Sequence, residues 1–243
     1  MVADGARRAG GRMPRGIVYE EIDNYIDGLA NRGDAALMAV EKQGLDEGWP
    51  IVGAAEGSLL HILARSVRAK RILELGTAIG YSGTWLARAL ADGGELVTVE
   101  HDPKTAALAQ KNFERTGVSS KVRIVVGTAE RALREVKGPF DFILNDIDKV
   151  GYPAVLEPCI ERVRLGGLLV TDNVLWHGDV ARKDRSPEVT AIRTYNERLS
   201  KDPRMIASVV PLRDGISIAS KITIDGFGIA HHGVAHGVPS REP

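Results

Sequence analysis

The chain has 243 residues, the length of one large domain or at most two small ones. With 44% hydrophobic and 26% charged residues its composition is that of an ordinary globular protein, which excludes a fibrous or disordered chain. The 32 basic and 32 acidic side chains balance, so no global basic field advertises nucleic acid or an anionic membrane surface.

In chain order, Met1–Gly16 carries Arg7, Arg8, Arg12 and Arg15 with no apolar run behind them. It reads as a flexible arm, neither a secretory signal nor a membrane anchor. No stretch approaches the ~18 apolar residues that a membrane helix needs. Residues 17–222 read as one domain. Gly16–Leu29 and Asp34–Gln43 have helical patterns, and Ala54–Val67 is strongly amphipathic. Apolar, β-branched runs follow at Arg71–Leu75, Glu95–Glu100, Val122–Val126, Phe140–Asn145 and Gly167–Thr171. Helical patterns separate them at Tyr81–Leu90, Pro103–Arg115, Thr128–Glu135 and Tyr152–Val163. The single cysteine, Cys159, rules out an internal disulfide and a cysteine-based metal site. A reducing cytoplasm is then the default compartment.

A further helix, Pro187–Ser200, leads to strands at Ala207–Leu212 and Gly215–Ser220. Only Arg213 and Asp214 separate these two, too few for a crossover helix, so they form a hairpin and one edge strand runs antiparallel. Residues 223–243 read as a flexible tail holding His231, His232 and His236, where glycine and proline argue against a rigid metal site. The expected fold is α/β and Rossmann-like: a doubly wound, mainly parallel seven-stranded sheet with an antiparallel C-terminal hairpin strand and an N-terminal helical extension.

The chemistry gathers at strand ends. Ile72-Leu73-Glu74-Leu75-Gly76-Thr77-Ala78-Ile79-Gly80-Tyr81-Ser82 is a strand, a glycine turn and a helix start, the place where open α/β sheets bind ligands. Gly76 and Gly80 permit close backbone approach, and the helix start offers unpaired N–H groups. The next strand ends in Glu100, a carboxylate able to accept both hydroxyls of a ribose. A dinucleotide site wants Gly-x-Gly-x-x-Gly, whereas Ala78 stands at the second glycine and Glu74 precedes the turn. An acid there repels a pyrophosphate and attracts an ammonium or sulfonium, which tilts the reading from NAD to S-adenosylmethionine (SAM). Two further strand ends carry Asn145-Asp146-Ile147-Asp148-Lys149 and Thr171-Asp172-Asn173-Val174-Leu175-Trp176. Asp146, Asp172 and Asn173 offer three hard oxygen ligands suited to an ion such as Mg²⁺. The alternative for Asp172-Asn173 is a capped turn.

These segments, in this order, resemble the cation-dependent, SAM-dependent O-methyltransferases of the catechol and caffeoyl-CoA type, over roughly Ile22 to Lys221. Gly53–Leu60 with Glu56 resembles the stretch before the cofactor loop, Ala69–Ser82 the loop itself, Asp146–Tyr152 and Gly166–Trp176 the metal and catalytic segments, and Asp214-Gly215 the closing hairpin. The resemblance implies that Asp146, Asp172 and Asn173 hold Mg²⁺ or another divalent ion such as Mn²⁺ or Ca²⁺, and that Lys149 and Asp146 are catalytic. It further implies that Glu74, Gly76, Thr77, Gly80, Ser82, Glu100, Ala129 and Asp146 bind SAM, in a homodimer. Asn145 departs from the pattern, which places an aliphatic residue there, so its amide needs a partner.

Methyl transfer from a sulfonium demands position and a deprotonated oxygen. A dication lowers the pKa of a catechol-type hydroxyl from near ~10. Lys149 beside that cation could have a depressed pKa and accept the proton, or could be a solvated lysine. Asp148 is a supporting or surface carboxylate, His177 a surface histidine, and Trp176 either an acceptor wall or a core residue. The acceptor is expected to be a small hydroxylated aromatic. The alternative is tRNA, because Ile72–Ser82 and Ile22–Gly53 are similar to the bacterial wobble 5-hydroxyuridine O-methyltransferases; Arg65, Arg68, Lys70, Arg71 and the arginine-bearing arm would then contact phosphates. A noncatalytic SAM-binding scaffold is the reading from another class.

Overall fold

Five short runs rich in Ile, Leu and Val form the parallel part of one seven-stranded sheet. They are β1 (Arg71–Leu75), β2 (Glu95–Glu100), β3 (Val122–Val126), β4 (Phe140–Asn145) and β5 (Val163–Thr171). The structure, a computed structural model, describes residues 17–31 and 33–223. The proposed arm 1–16 and the tail histidines lie outside the described residues.

The helices are α1 (Glu20–Leu29), α2 (Ala35–Glu47), α3 (Gly53–Ser66), α4 (Tyr81–Ala89), α5 (Pro103–Arg115), α6 (Ala129–Glu135), α7 (Tyr152–Arg162) and α8 (Pro187–Lys201). Strands β6 (Met205–Val210) and β7 (Ile216–Lys221) complete the sheet in the order β3-β2-β1-β4-β5-β7-β6. The strands are apolar on both faces because both are covered. Ile72, Leu96, Phe142, Leu144 and Val170 pack with Leu60 of α3 and Leu86 of α4. Their neighbours Leu73, Val97, Ile143 and Leu169 point the other way, against Leu133, Leu156 and Ile192 of α6, α7 and α8.

The hairpin differs from the sequence expectation in its order. β7 is the reversed strand, paired antiparallel to both β5 and β6, so the reversal is internal and β6 is the edge. Burial explains the choice: Ile216 and Ala219 of β7 are fully buried, whereas β6 exposes Ile206 and Val209. β3 is the opposite edge and is only partly covered, leaving Val126 exposed.

Register fixes the functional end of the sheet. Leu75 lies beside Asn145, and Asn145 beside Thr171. The tips of β1, β4 and β5 therefore finish level, and whatever follows each strand is delivered to one rim. Among the described residues no helix is long and apolar enough to cross a membrane.

Candidate active site

Gly76, the first residue past β1, has φ +101°, and a Cβ there would lie 2.2 Å from the Asp146 carbonyl oxygen. The sequence suggests a glycine that lets a ligand come close. The close approach in the structure is that of the β4 tip. The N–H groups of Gly76 and Thr77 both donate to the Val99 carbonyl, and Asp146 N–H donates to the Leu75 carbonyl at 2.9 Å. The β1, β2 and β4 tips are thereby laced together.

Glu74 is fully buried beneath this loop. Its carboxylate accepts hydrogen bonds from Ser82 Oγ at 2.7 Å and Thr98 Oγ1 at 2.6 Å. Burial pushes its pKa up to about 7, against the opposing effect of those two donors. Thr77 Oγ1 meets Thr98 Oγ1 at 2.5 Å, and Gly80 is the N-cap of α4. At the β2 tip the Glu100 carboxylate accepts from Ala78 N–H and Asp102 N–H, both at 3.0 Å. Those bonds fix its orientation and leave lone pairs for further donors. Ala129 opens α6, whose N-cap is Thr128.

A cavity of about 940 Å³ runs along the rim. Gly76, Glu100, Ala129, Asp146, Lys149, Asp172 and Asn173 line it. Of the other residues expected to touch a cofactor, Glu74, Thr77, Gly80 and Ser82 are not in that lining; their hydrogen bonds build the loop behind it.

Asp146 and Asp172 leave adjacent strand ends, with Asp172 N–H donating to the Asn145 carbonyl. Lys149 Nζ donates to Asp146 Oδ1 at 2.8 Å and to the Ile147 carbonyl at 3.2 Å. Burial lowers the Lys149 pKa, but the Asp146 carboxylate outweighs it and holds the ammonium above its ordinary range. The lysine is thus bonded into the site and held charged by Asp146. Asp172 is buried and its pKa is pushed up to about 7, by burial first and then by Asp146. Tyr152 Oη donates to the Asp172 carbonyl at 2.8 Å, bracing that loop from below. Asn173 takes a left-handed conformation, φ +54°, which asparagine tolerates better than most residues, and its N–H donates to Asp172 Oδ1 at 2.5 Å.

Among the described residues no group of three or more His, Cys, Asp or Glu side chains is arranged to hold a metal directly. The expected set draws its third oxygen from the Asn173 amide. Two adjoining carboxylates, one deeply buried, form a donor set that a hard cation fits.

Trp176 both lines the cavity and packs on the core. His177 is partly exposed with Nδ1 3.6 Å from Asp214 Oδ1, and Asp148 is exposed. Asn145 is fully buried with neither amide atom hydrogen-bonded, so the partner its sequence position calls for is not among its protein neighbours.

Sequence reasoning from the residues alone passed over Arg213 and Glu56 as site groups. Arg213 looked like hairpin turn, yet it lines the cavity. Glu56 entered only through a resemblance, yet it is fully buried beside Asp172. Its legible signal was a carboxylate on the otherwise apolar face of α3.

A seven-stranded sheet closed by a C-terminal antiparallel hairpin, with one cavity along the level tips of β1, β2, β4 and β5, defines a Rossmann-like methyltransferase. Residues 37–222 match the sequence profile of the O-methyltransferase family, and the chain belongs to that family. A catechol O-methyltransferase of Niastella koreensis is 37% identical over 83% of this chain and 97% of its own length. A catechol O-methyltransferase of Mycobacterium tuberculosis is 32% identical, covering 86% and 94%. Among solved structures, the O-methyltransferase TomG of Streptomyces achromogenes in complex with SAM superposes with TM-score 0.77 at 32% identity, covering 84% of this chain and 96% of TomG.

Proposed function

We propose that this protein is a SAM-dependent, divalent-cation-dependent O-methyltransferase acting on a small catechol-like aromatic. The observation that carries the reading is the shared rim. Asp146 and Asp172 emerge side by side, Lys149 is bonded to Asp146, and the cofactor loop of Gly76 touches the same residue. The SAM-bound TomG and an O-methyltransferase of Bacillus cereus in complex with SAH, 32% identical, support the choice of cofactor.

In this reading Glu100 accepts the ribose hydroxyls, Ala129 lies along the adenine, and the buried Glu74 favours the cationic amino-acid end through the loop it braces. Asp146, Asp172 and Asn173 would hold the ion. A bound dication supplies a Lewis acid that lowers the pKa of an acceptor hydroxyl and orients it. With Asp146 engaged by a cation, Lys149 would lose the main interaction holding it charged; its ammonium would release a proton to solvent, and the resulting Nζ amine would be the group that accepts the hydroxyl proton. Trp176 offers the acceptor ring an apolar face. Bound SAM would supply the methyl group by in-line displacement, leaving S-adenosylhomocysteine.

A small acceptor is favoured over tRNA by the position of the basic residues. Arg68, Lys70, Arg71 and Arg164 share a hollow at the amino ends of the strands, one strand length, roughly 16 Å, from the rim that holds the site. The test is methyl transfer from labelled SAM to catechol and to 5-hydroxyuridine tRNA, with and without EDTA. Catechol methylation abolished by EDTA is expected; turnover of tRNA alone, or turnover indifferent to EDTA, refutes the reading.

The same proposal includes a homodimer. α1 buries none of its residues and exposes Ile22, Tyr25 and Leu29 at helical spacing, with Tyr19 beside them, an apolar stripe suited to a second copy. Light scattering giving a monomer mass would remove it.

A further inference from the structure

Glu56 sits in the first turn of α3, where a carboxylate ordinarily serves the helix's own free N–H groups. It does not do so. Both oxygens are buried and no N–H group donates to them; the Asp172 carboxylate faces them, and burial first and then that neighbour push the Glu56 pKa well above the usual carboxylate range. The charged groups facing it are Asp172, Asp146 and Arg213. Arg213 Nε lies 3.5 Å from Glu56 Oε2, and Nη2 donates to the Ile51 carbonyl at 3.2 Å.

The placement of Arg213 is costly. It has a left-handed backbone, φ +51°, a strained conformation for a long side chain. Its guanidinium lies over the amino end of α3, so close that a Cβ on Gly53 would be 2.4 Å from Nη1. A cation at the positive end of a helix is unfavourable. What compensates is the pair of carboxylates of Glu56 and Asp172, on which Arg213 exerts its charge.

We infer that Glu56 is an outer carboxylate of the divalent-cation site, a positioning residue behind Asp172, and that Arg213 is its resident counter-cation, competing with the metal for the same negative charge. The inference rests on the proposed metal dependence. Beside a bound dication, which favours the ionised carboxylate, Glu56 would act through its charge and as an acceptor for ion-bound water, because the carboxylates are not grouped to ligate one ion together. Outer partners of this kind are worth about 10–100-fold in metal affinity. The two residues therefore carry opposite signs: losing Glu56 weakens ion binding, whereas losing Arg213 strengthens it. A purely structural clasp between α3 and the hairpin predicts the same sign for both.

The experiment is a Mn²⁺ titration of the full chain followed by electron paramagnetic resonance, without SAM or acceptor. It compares the natural sequence with Glu56→Gln, Arg213→Met and Asp172→Asn, each checked by thermal melting in EDTA. Expected are one Mn²⁺ per chain, a Kd raised about tenfold or more in Glu56→Gln, and a lowered Kd in Arg213→Met. Should Glu56→Gln fail to fold, the sign in Arg213→Met still decides. Weakened binding in Arg213→Met, or an unchanged Kd in Glu56→Gln, overturns the inference while leaving the metal site standing. No Mn²⁺ binding by the natural sequence, or binding undisturbed in Asp172→Asn, overturns both.

Discussion

Replacing Gly76 by alanine tests whether the proposed cofactor loop and the proposed ion-binding loop are mechanically one piece. The new Cβ would stand 2.2 Å from the Asp146 carbonyl oxygen, against 3.4 Å for ordinary van der Waals contact. The obstacle is backbone, so no rotamer change relieves it. A left-handed alanine adds about 1–2 kcal/mol, and forcing a well-packed junction apart typically costs about 1–3 kcal/mol. A total near 3–4 kcal/mol corresponds to a melting point lowered by roughly 10 °C for a chain of this size. Asp146 must also move by about 1 Å, a displacement that costs on the order of 100-fold when it disturbs catalytic geometry. Differential scanning fluorimetry, SAM calorimetry and catechol turnover read the three consequences. A variant melting within about 2 °C of the natural protein, with unaltered SAM affinity and turnover, would refute the coupling of the two loops.

Glu100→Gln keeps the shape of the β2 tip but removes the charged acceptor, so SAM affinity should fall about 10–100-fold, the worth of one or two charge-assisted hydrogen bonds; an unchanged Kd by calorimetry contradicts the ribose role. Lys149→Met should lower kcat by about 100-fold or more while leaving SAM affinity intact, and equal losses in both would make the lysine structural. At the opposite end of the sheet, Asp141 accepts the N–H groups of Lys70 and Arg71, each at 2.8 Å, and Arg164 Nε at 2.5 Å. Burial alone would raise its carboxyl, but these donors outweigh burial and hold it below the usual carboxylate range. Its stabilisation is therefore complete above the unfolded value near ~3.9 and is lost as pH falls through the lower folded value. Asp141→Asn should cost about 2 kcal/mol at neutral pH, with the gap closing below about pH 4; a gap that persists in acid denaturation curves contradicts this.

The sheet was legible because its signals are local and repeated. Runs such as Phe142–Leu144 are apolar at every position, and Ile72–Leu75 at every position but Glu74, as strands covered on both faces should be. Strand order in the hairpin was not legible, since it follows from which of two short strands can bury both faces. Gly76 was visible as a turn residue, but its true neighbour, Asp146, is distant in sequence. Glu74 and Ser82 were readable as residues of the expected cofactor loop, though not that they bond to each other behind the cavity. Arg213 is unremarkable in its own segment and Glu56 shows only as a carboxylate on an apolar helix face; their pairing was hidden because only packing of α3 against the hairpin makes them neighbours.

Anomalous scattering from Mn²⁺ in crystals grown with S-adenosylhomocysteine tests the central claim most directly. The expected result is a single peak coordinated by oxygens of Asp146, Asp172 and Asn173, beside the cofactor sulfur. Cofactor bound in the cavity with no peak there, or a peak at other ligands, would contradict the metal-dependent mechanism.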